Sequence, residues 1–187
     1  LFFDTETSDM VKWKLPASDP AQPWAVQVAG VLADERREYD VFNFLVRSDG
    51  REISENAYEV HKISAEDTTF GLPESYVARI FTGLRNYAEL LVCHNVKFDS
   101  LIMQAMYHRQ GMKGEAKKLA EKETFCTMDK STALCKLPPF RYGSYKWPKL
   151  EELHRFLFSE EIPNAHDALV DIRATMRCYW ELKARGI

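Results

Sequence analysis

The chain lacks the features that would place it in several broad classes. Its four cysteines, Cys93, Cys126, Cys135 and Cys178, form no C-x-x-C pair, and their density is far below that of a disulfide scaffold. A reducing, cytoplasmic setting is therefore the expectation. No apolar run approaches the length that spans a bilayer, and no signal-peptide pattern opens the chain, so no membrane partner is expected. Charge of neither sign dominates: 25 Lys and Arg against 28 Asp and Glu leave a formal net charge of −3. That excludes a global basic field and argues against tight, non-specific binding of duplex nucleic acid. It argues little against a protein that grips only a strand end with locally bound cations. There is no internal repeat, low-complexity tract or linker.

The remaining composition is that of an ordinary globular chain, with 45% hydrophobic and 28% charged residues. At 187 residues one domain covering 1–187 is expected. The chain opens at Leu1 without an initiator methionine, three residues before Asp4, so the first strand is expected to be clipped.

That strand, Phe2-Phe3-Asp4-Thr5-Glu6-Thr7, organises the reading. Side chains alternate along a strand, so Asp4 and Glu6 share a face, roughly 6–7 Å apart along the backbone. Two carboxylates on a buried strand repel and resist desolvation unless a cation sits between them. A hard divalent ion such as Mg2+ meets that need with oxygen ligands. An Asp-x-Glu by itself also fits a solvated strand end.

The polar, proline-bearing stretch from Ser8 to Pro23 reads as a loop, either a lip over a site or plain surface wrapping. Trp24–Leu32 and Tyr39–Val46 read as strands that form a meander with the first. Ala57–Ile63 is a short polar and apolar stretch, and Ser64-Ala65-Glu66-Asp67 resembles a helix cap. Glu74–Leu90 has apolar residues at helical spacing, with Val77, Ile80, Phe81, Leu84, Tyr87 and Ala88 turned inward. Leu90–His94 is a buried strand, Phe98–His108 and Glu115–Lys122 are helices, and Thr124–Met128 is a last short strand. Residues 136–148 form a loop rich in Pro, Tyr and basic residues, and Leu150–Phe158 and Ala165–Ala184 are helices. Strands that alternate first with turns and later with helices define an α/β fold: a mixed central sheet of about five strands flanked by helices. The first strand lies centrally, and its carboxyl end opens where such sheets place their sites.

Two further stretches carry chemistry. His94-Asn95-Val96-Lys97-Phe98-Asp99 is a strand end, a turn and an acid in a helix start, a place the helix dipole also favours for structural reasons. His166-Asp167-Ala168-Leu169-Val170-Asp171 places a histidine five residues before an acid. That offset is not a one-face helical pair, although His166 could lean over a site that Asp171 reaches from within the helix. His166 also fits a capping or surface role, and Asp171 a solvated helix acid. The other histidines, His61, His94, His108 and His154, read as structural, as do the cysteines.

In order and on these elements, FFDTET, HNVKFD and HDALVD resemble the three exonuclease motifs of the DEDD superfamily, histidine subtype, which includes replicative proofreading subunits and oligoribonucleases. The resemblance extends from Asp4 to Asp171 with flanking elements, and Val60-His61-Lys62-Ile63-Ser64 is similar to a further family stretch, with Lys62 where glycine is frequent. Ser8-Asp9 departs from the small residue and glycine that usually follow the first motif.

The resemblance implies a ribonuclease H-like fold and 3′–5′ exonuclease activity. Asp4, Glu6, Asp99 and Asp171 would hold two Mg2+ or Mn2+ ions, with Asp4 bridging both. Glu6 and Asp171 would complete the water-activating ion, and Asp99 would serve the other. His166 would be the general base, with Thr5, Thr7 and Asn95 as substrate contacts. The implied substrates are single-stranded or frayed 3′ ends of DNA, released as nucleoside 5′-monophosphates, with a polymerase as a possible partner. An exoribonuclease of the oligoribonuclease or RNA-trimming type, or an inactive nucleic-acid-binding module, is the alternative. Phe140–Trp147 interleaves basic and aromatic residues as single-strand binders do, and it also fits a loop whose aromatics plug the core edge.

Overall fold

Alternation along the first strand sends Phe2 and Phe3 to opposite sides of the sheet, and each seeds one of two hydrophobic cores. A computed structural model describes residues 1–139, 143–163 and 168–187. Strands β1 (Phe2–Thr7), β2 (Ala25–Ala33) and β3 (Glu38–Leu45) form an antiparallel meander. Strands β4 (Leu91–Cys93) and β5 (Thr124–Cys126) extend the sheet in parallel from the other edge of β1, giving the order β3-β2-β1-β4-β5. The mixed α/β sheet with central β1 is the one the sequence pattern implies.

On one face, Phe3 packs edge-on to Phe81 of α2 (Glu74–Tyr87), with ring centroids 5.0 Å apart. Helices α3 (Val96–Arg109) and α4 (Lys113–Ala120) complete that core with Ile102, Met103, Met106 and Leu119. On the other face, Phe2 and Phe125 both meet Tyr179 of α7 (Ala168–Ala184), at 5.3 and 4.9 Å. Helices α5 (Thr127–Cys135) and α6 (Leu150–Phe158) join there through Cys135 and Leu153. Burial of each large apolar side chain contributes about 1.5–3 kcal/mol. Among the described residues no helix is long and apolar enough to cross a membrane.

Three local readings need correction. In α2, Val77 and Phe81 are buried, whereas Ile80 is 37% and Tyr87 82% exposed. The inward stripe instead runs through Arg85, which is buried because its guanidinium bonds the Glu115 carbonyl at 3.0 Å and also pairs with the Glu115 carboxylate. The segment read as a strand to Met128 ends at Cys126 and becomes α5, whose first turn is capped by Cys126 Sγ accepting from Asp129 N–H at 3.4 Å. The first helix, α1 (Glu55–His61), starts earlier than its apolar pattern, because Ser54 Oγ accepts from Ala57 N–H at 3.2 Å.

The Ser8–Pro23 loop wraps the surface, and only its Asp9 and Met10 border a small pocket beside Glu6. Its base is closed by Ser8 N–H donating to Trp24 O at 3.0 Å and Trp24 N–H donating to Ser8 Oγ at 3.2 Å. Buried Gln22 gives its amide to the Lys12 and Leu15 carbonyls at 3.0 Å each. Trp13 lies against Phe98 of α3, with ring centroids 6.5 Å apart.

Helix α1 ends at Lys62, which adopts the left-handed conformation at φ 58° and ψ 16° while its N–H closes on Tyr58 O. Glycine occupies that region without the Cβ cost that lysine bears. Lys62→Gly is expected to raise stability by about 0.5–1 kcal/mol, despite loss of an exposed pair with Glu59. The urea midpoint checks this, and an unchanged or lower midpoint contradicts it.

Candidate active site

The parting of two strands builds the site. β1 pairs with β2 along its whole length, but its pairing with parallel β4 is confined to Phe2 opposite Val92. Beyond that point the Thr5 N–H has no strand on the β4 side, and a buried donor must find an acceptor. Asp99, in the first turn of α3, supplies it: Asp99 Oδ1 accepts from Thr5 N–H at 3.0 Å and from the Thr5 hydroxyl at 2.9 Å. The same alternation that turns Thr5 and Thr7 inward toward α3 leaves Asp4 and Glu6 half-buried on the opposite face. Asp171 arrives from the first turn of α7.

Asp4, Glu6, Asp99 and Asp171 line one pocket of about 420 Å³, with Asn95 also on its wall. The acids perturb one another. Burial, then repulsion from Asp99, Glu6 and Asp171, raises the Asp4 carboxyl well above the usual carboxylate range. Burial, then Asp171 and Asp99, pushes Glu6 up to about 7. Asp99 is also pushed up to about 7 by burial, against the lowering effect of the two Thr5 hydrogen bonds.

A cleft of about 470 Å³ near Leu32, Tyr39 and Trp180 is slightly larger, so charge rather than size distinguishes the carboxylate pocket. As the side chains stand, no group of three or more His, Cys, Asp or Glu among the described residues is arranged to hold a metal ion. The donor chemistry nonetheless suits one: four carboxylates in a shared pocket, of which Asp4, Glu6 and Asp99 are destabilised as anions, provide the oxygen-only set that hard divalent ions take. A cation among them would draw these mutually repelling carboxylates together.

Of the expected substrate contacts, Asn95 lines the carboxylate pocket, and Thr5 is committed to Asp99. The Thr7 hydroxyl donates to Asp9 O at 2.9 Å, and its residue borders an adjoining pocket of about 160 Å³ with Thr5, Glu6, Val60, His61 and Phe98. His61 is structural, as expected. Its Nδ1 accepts from Ile63 N–H at 3.0 Å, so Nε2 carries the proton donated to Thr7 O at 3.2 Å, and burial lowers its pKa. His166 and the Phe140-Arg141-Tyr142 part of the aromatic segment lie outside the described residues.

Several further residues share the pocket wall, among them a fifth acid, Glu151, that sequence reasoning missed. His94, Trp147 and Lys149 all line the wall. His94 stays structural as well, with Nδ1 3.0 Å from the Thr127 hydroxyl and Nε2 2.9 Å from Pro148 O. The available signal was the aromatic and basic pattern leading to Trp147.

A mixed five-strand sheet with helices on both faces is the ribonuclease H-like fold seen in exonuclease I. Residues 1–179 match the family model described as exonuclease, and the chain belongs to that family. The chain superposes over 98% of its length on E. coli exonuclease I in complex with a dA16 oligonucleotide, at TM-score 0.74 and 21% identity, covering 40% of that chain. A zinc-ion-bound E. coli exonuclease I–ssDNA complex gives TM-score 0.72 and 18% identity, with 98% and 40% of the two chains covered. Exonuclease X in complex with 5′ overhanging duplex DNA gives 0.63 and 22%, covering 99% of this chain and 92% of that one. The chain thus spans about 40% of the exonuclease I chains it matches. No curated protein matches it by sequence. The polymerase partner implied by the sequence resemblance finds no support in these relatives.

The raised Glu6 pKa has a signed consequence. Between the ordinary value of 4.5 and about 7, the folded state holds a proton that the unfolded chain has released. Stability therefore falls as pH rises through that window. Buried His61 and His94, whose pKa values are lowered, act oppositely, so the comparison must be differential. In chelator, Glu6→Gln is expected to gain on the wild type by on the order of 1–2 kcal/mol between pH 5 and 8. Denaturant unfolding at both ends of the range tests it, and a constant difference contradicts it.

Proposed function

We propose that residues 1–187 form a single 3′–5′ exonuclease domain of the DEDD superfamily, histidine subtype. It would hydrolyse the terminal phosphodiester of single-stranded or frayed DNA to nucleoside 5′-monophosphates. The observation that carries this reading is the convergence of Asp4, Glu6, Asp99 and Asp171 on one pocket at the carboxyl end of the central strand. DNA is favoured over RNA because the similar exonuclease I and X structures are described with DNA oligonucleotides and duplex DNA.

Asp4, Glu6, Asp99 and Asp171 would hold two Mg2+ or Mn2+ ions. When bound, such ions supply an acidified water and neutralise charge on the phosphate oxygens. The remaining work falls to the chain. Thr5 fixes Asp99 through two hydrogen bonds, so that acid enters the site without rotational freedom. Asn95 and the Thr5–Thr7 backbone offer polar contacts to a terminal nucleotide beside the acids. The adjoining pocket, closed on one side by Val60 and His61, offers a blind end in which a strand terminates. His166, which precedes α7 in the sequence, would take the proton of the water attacking phosphorus, since an imidazole titrates near neutrality. The bond from phosphorus to the 3′ oxygen breaks, and the nucleotide leaves with its 5′ phosphate.

Separating a terminal nucleotide from its complement costs a few kcal/mol, so mismatched and single-stranded ends should be cut faster than blunt duplex. Matched 5′-labelled DNA and RNA, digested with Mg2+ or Mn2+, test the reading: ladders that shorten from the 3′ end, faster on DNA, are expected. Asp4→Asn is expected to be the most damaging ligand change. His166→Ala is expected to slow turnover about 10²–10⁴-fold with an unchanged melting temperature. Full activity in excess chelator, or shortening from the 5′ end, would overturn the proposal. Faster cleavage of RNA would move the assignment to an exoribonuclease.

A further inference from the structure

A strand whose last nucleotide sits among the carboxylates must leave across the surface, and the two cavities that adjoin the carboxylate pocket differ in kind. The one reached past Thr5, Glu6 and Phe98 is small, about 160 Å³, and is bounded by α1. The other is a groove of about 780 Å³ between α5 and residues 144–147. Trp147 lines both that groove and the carboxylate pocket, so the two spaces adjoin at this residue. The groove continues past Tyr145 and Lys146 on one side and Asp129, Thr132 and Ala133 of α5 on the other.

The aromatic side chains here are not plugging a core. Trp147 is 64% exposed and Tyr145 47%. The backbone that presents Trp147 is nevertheless held firmly on both sides. Pro148 is buried, and its carbonyl takes the His94 Nε2 proton at 2.9 Å, while the other ring nitrogen of His94 meets the Thr127 hydroxyl at the start of α5. Lys146 donates its N–H to Leu137 O at 3.3 Å, and its ammonium meets Glu152 at 2.5 Å. His94 therefore clasps both rims of the groove to the end of β4. The acid on the groove wall, Asp129, is offset by Lys97 at 3.6 Å, and Lys149 stands on the adjacent pocket wall. Glu151 shares that wall with Lys149, so the charge along the route is mixed and the grip falls to the exposed aromatic faces.

We propose that this groove is a single-strand track, in which Trp147 and then Tyr145 stack the bases of nucleotides on the 5′ side of the scissile bond. The proposal rests on the exonuclease reading and deepens it. Base stacking on an aromatic face tolerates every base, so the track would lengthen the grip on a strand without reading its sequence. His94 is a positioning residue for the track, because it acts through Pro148 and Thr127.

The test compares KM for the p-nitrophenyl ester of thymidine 5′-monophosphate, which has no base on the 5′ side of the scissile bond, with KM for a twelve-nucleotide single strand. In the wild type KM should fall steeply with length. In Trp147→Ala the twelve-nucleotide KM should rise about ten- to hundredfold, the worth of a lost base stack, and the length ratio should collapse. Trp147→Phe should recover most of the ratio, and Tyr145→Ala should show a smaller loss confined to longer strands. Binding of a labelled twelve-nucleotide strand in chelator, followed by anisotropy, should move in parallel without depending on turnover. Melting temperatures that match the wild type's show the variants to be folded, and Trp147→Leu replaces Trp147→Ala if the smaller residue destabilises the loop. If the folded variant keeps the full length ratio and strand affinity, the track is wrong and the groove serves another occupant, such as a peptide. If instead the wild type degrades no strand of any length, the exonuclease reading itself falls.

Discussion

Thr5 gives both its backbone N–H and its hydroxyl to one oxygen of Asp99, and much of the site follows from that contact. It exists because β4 leaves β1 after Phe2, so a central strand has an unpaired edge at its carboxyl end. The gap admits the first turn of α3, and Asp99 fills the place a neighbouring strand would have taken. Alternation then requires the residues flanking Thr5 to face away from α3, toward the side from which α7 brings Asp171. One strand parting thus draws together carboxylates from three separated stretches of chain.

That convergence costs the fold stability. Asp4, Glu6 and Asp99 are all held more readily as acids than as anions, chiefly by burial. The offset comes from the rest of the molecule: two hydrophobic cores on either side of the sheet, and polar clusters away from the site. Buried Glu74 illustrates the latter, taking Arg109 at 2.8 Å, Gln110 at 3.0 Å and Arg51 at 3.3 Å, so no oxygen of that acid lacks a donor. The buried Glu74 is thus matched by cations. The acids in the pocket repel one another, and that repulsion is what the proposed cations would relieve.

What was legible in the sequence was whatever obeys a short period. The two-residue alternation of β1 placed Asp4 and Glu6 on one face, and the apolar runs of β2, β3 and β4 placed β1 centrally. What was not legible depends on partners far along the chain. Arg85 lies inward because Glu115 is there to meet it, which no helical stripe of apolar residues reveals. Helix α5 follows β5 without a break because Cys126 caps it, and a short run containing Ser and Thr has too weak a period to show it. His94 read correctly as structural, yet what it holds, Thr127 and Pro148, is separated from it by 33 and 54 residues. Lys62 was visible as a departure from glycine, and its left-handed backbone explains why glycine is the easier residue there.

The central claim is that the pocket at the end of β1 takes divalent cations by displacing protons from destabilised carboxyls. Calorimetric titration of the protein with Mn2+ near pH 6.5, repeated in buffers of differing ionisation enthalpy, measures the protons released on binding. Carboxyls pushed up to about 7, as Glu6 and Asp99 are, remain largely protonated at that pH and must give up protons when the ion arrives. The account predicts a release on the order of one proton or more per protein, shrinking as the pH is raised to 8. Binding without proton release at pH 6.5, or no binding at all, would contradict it.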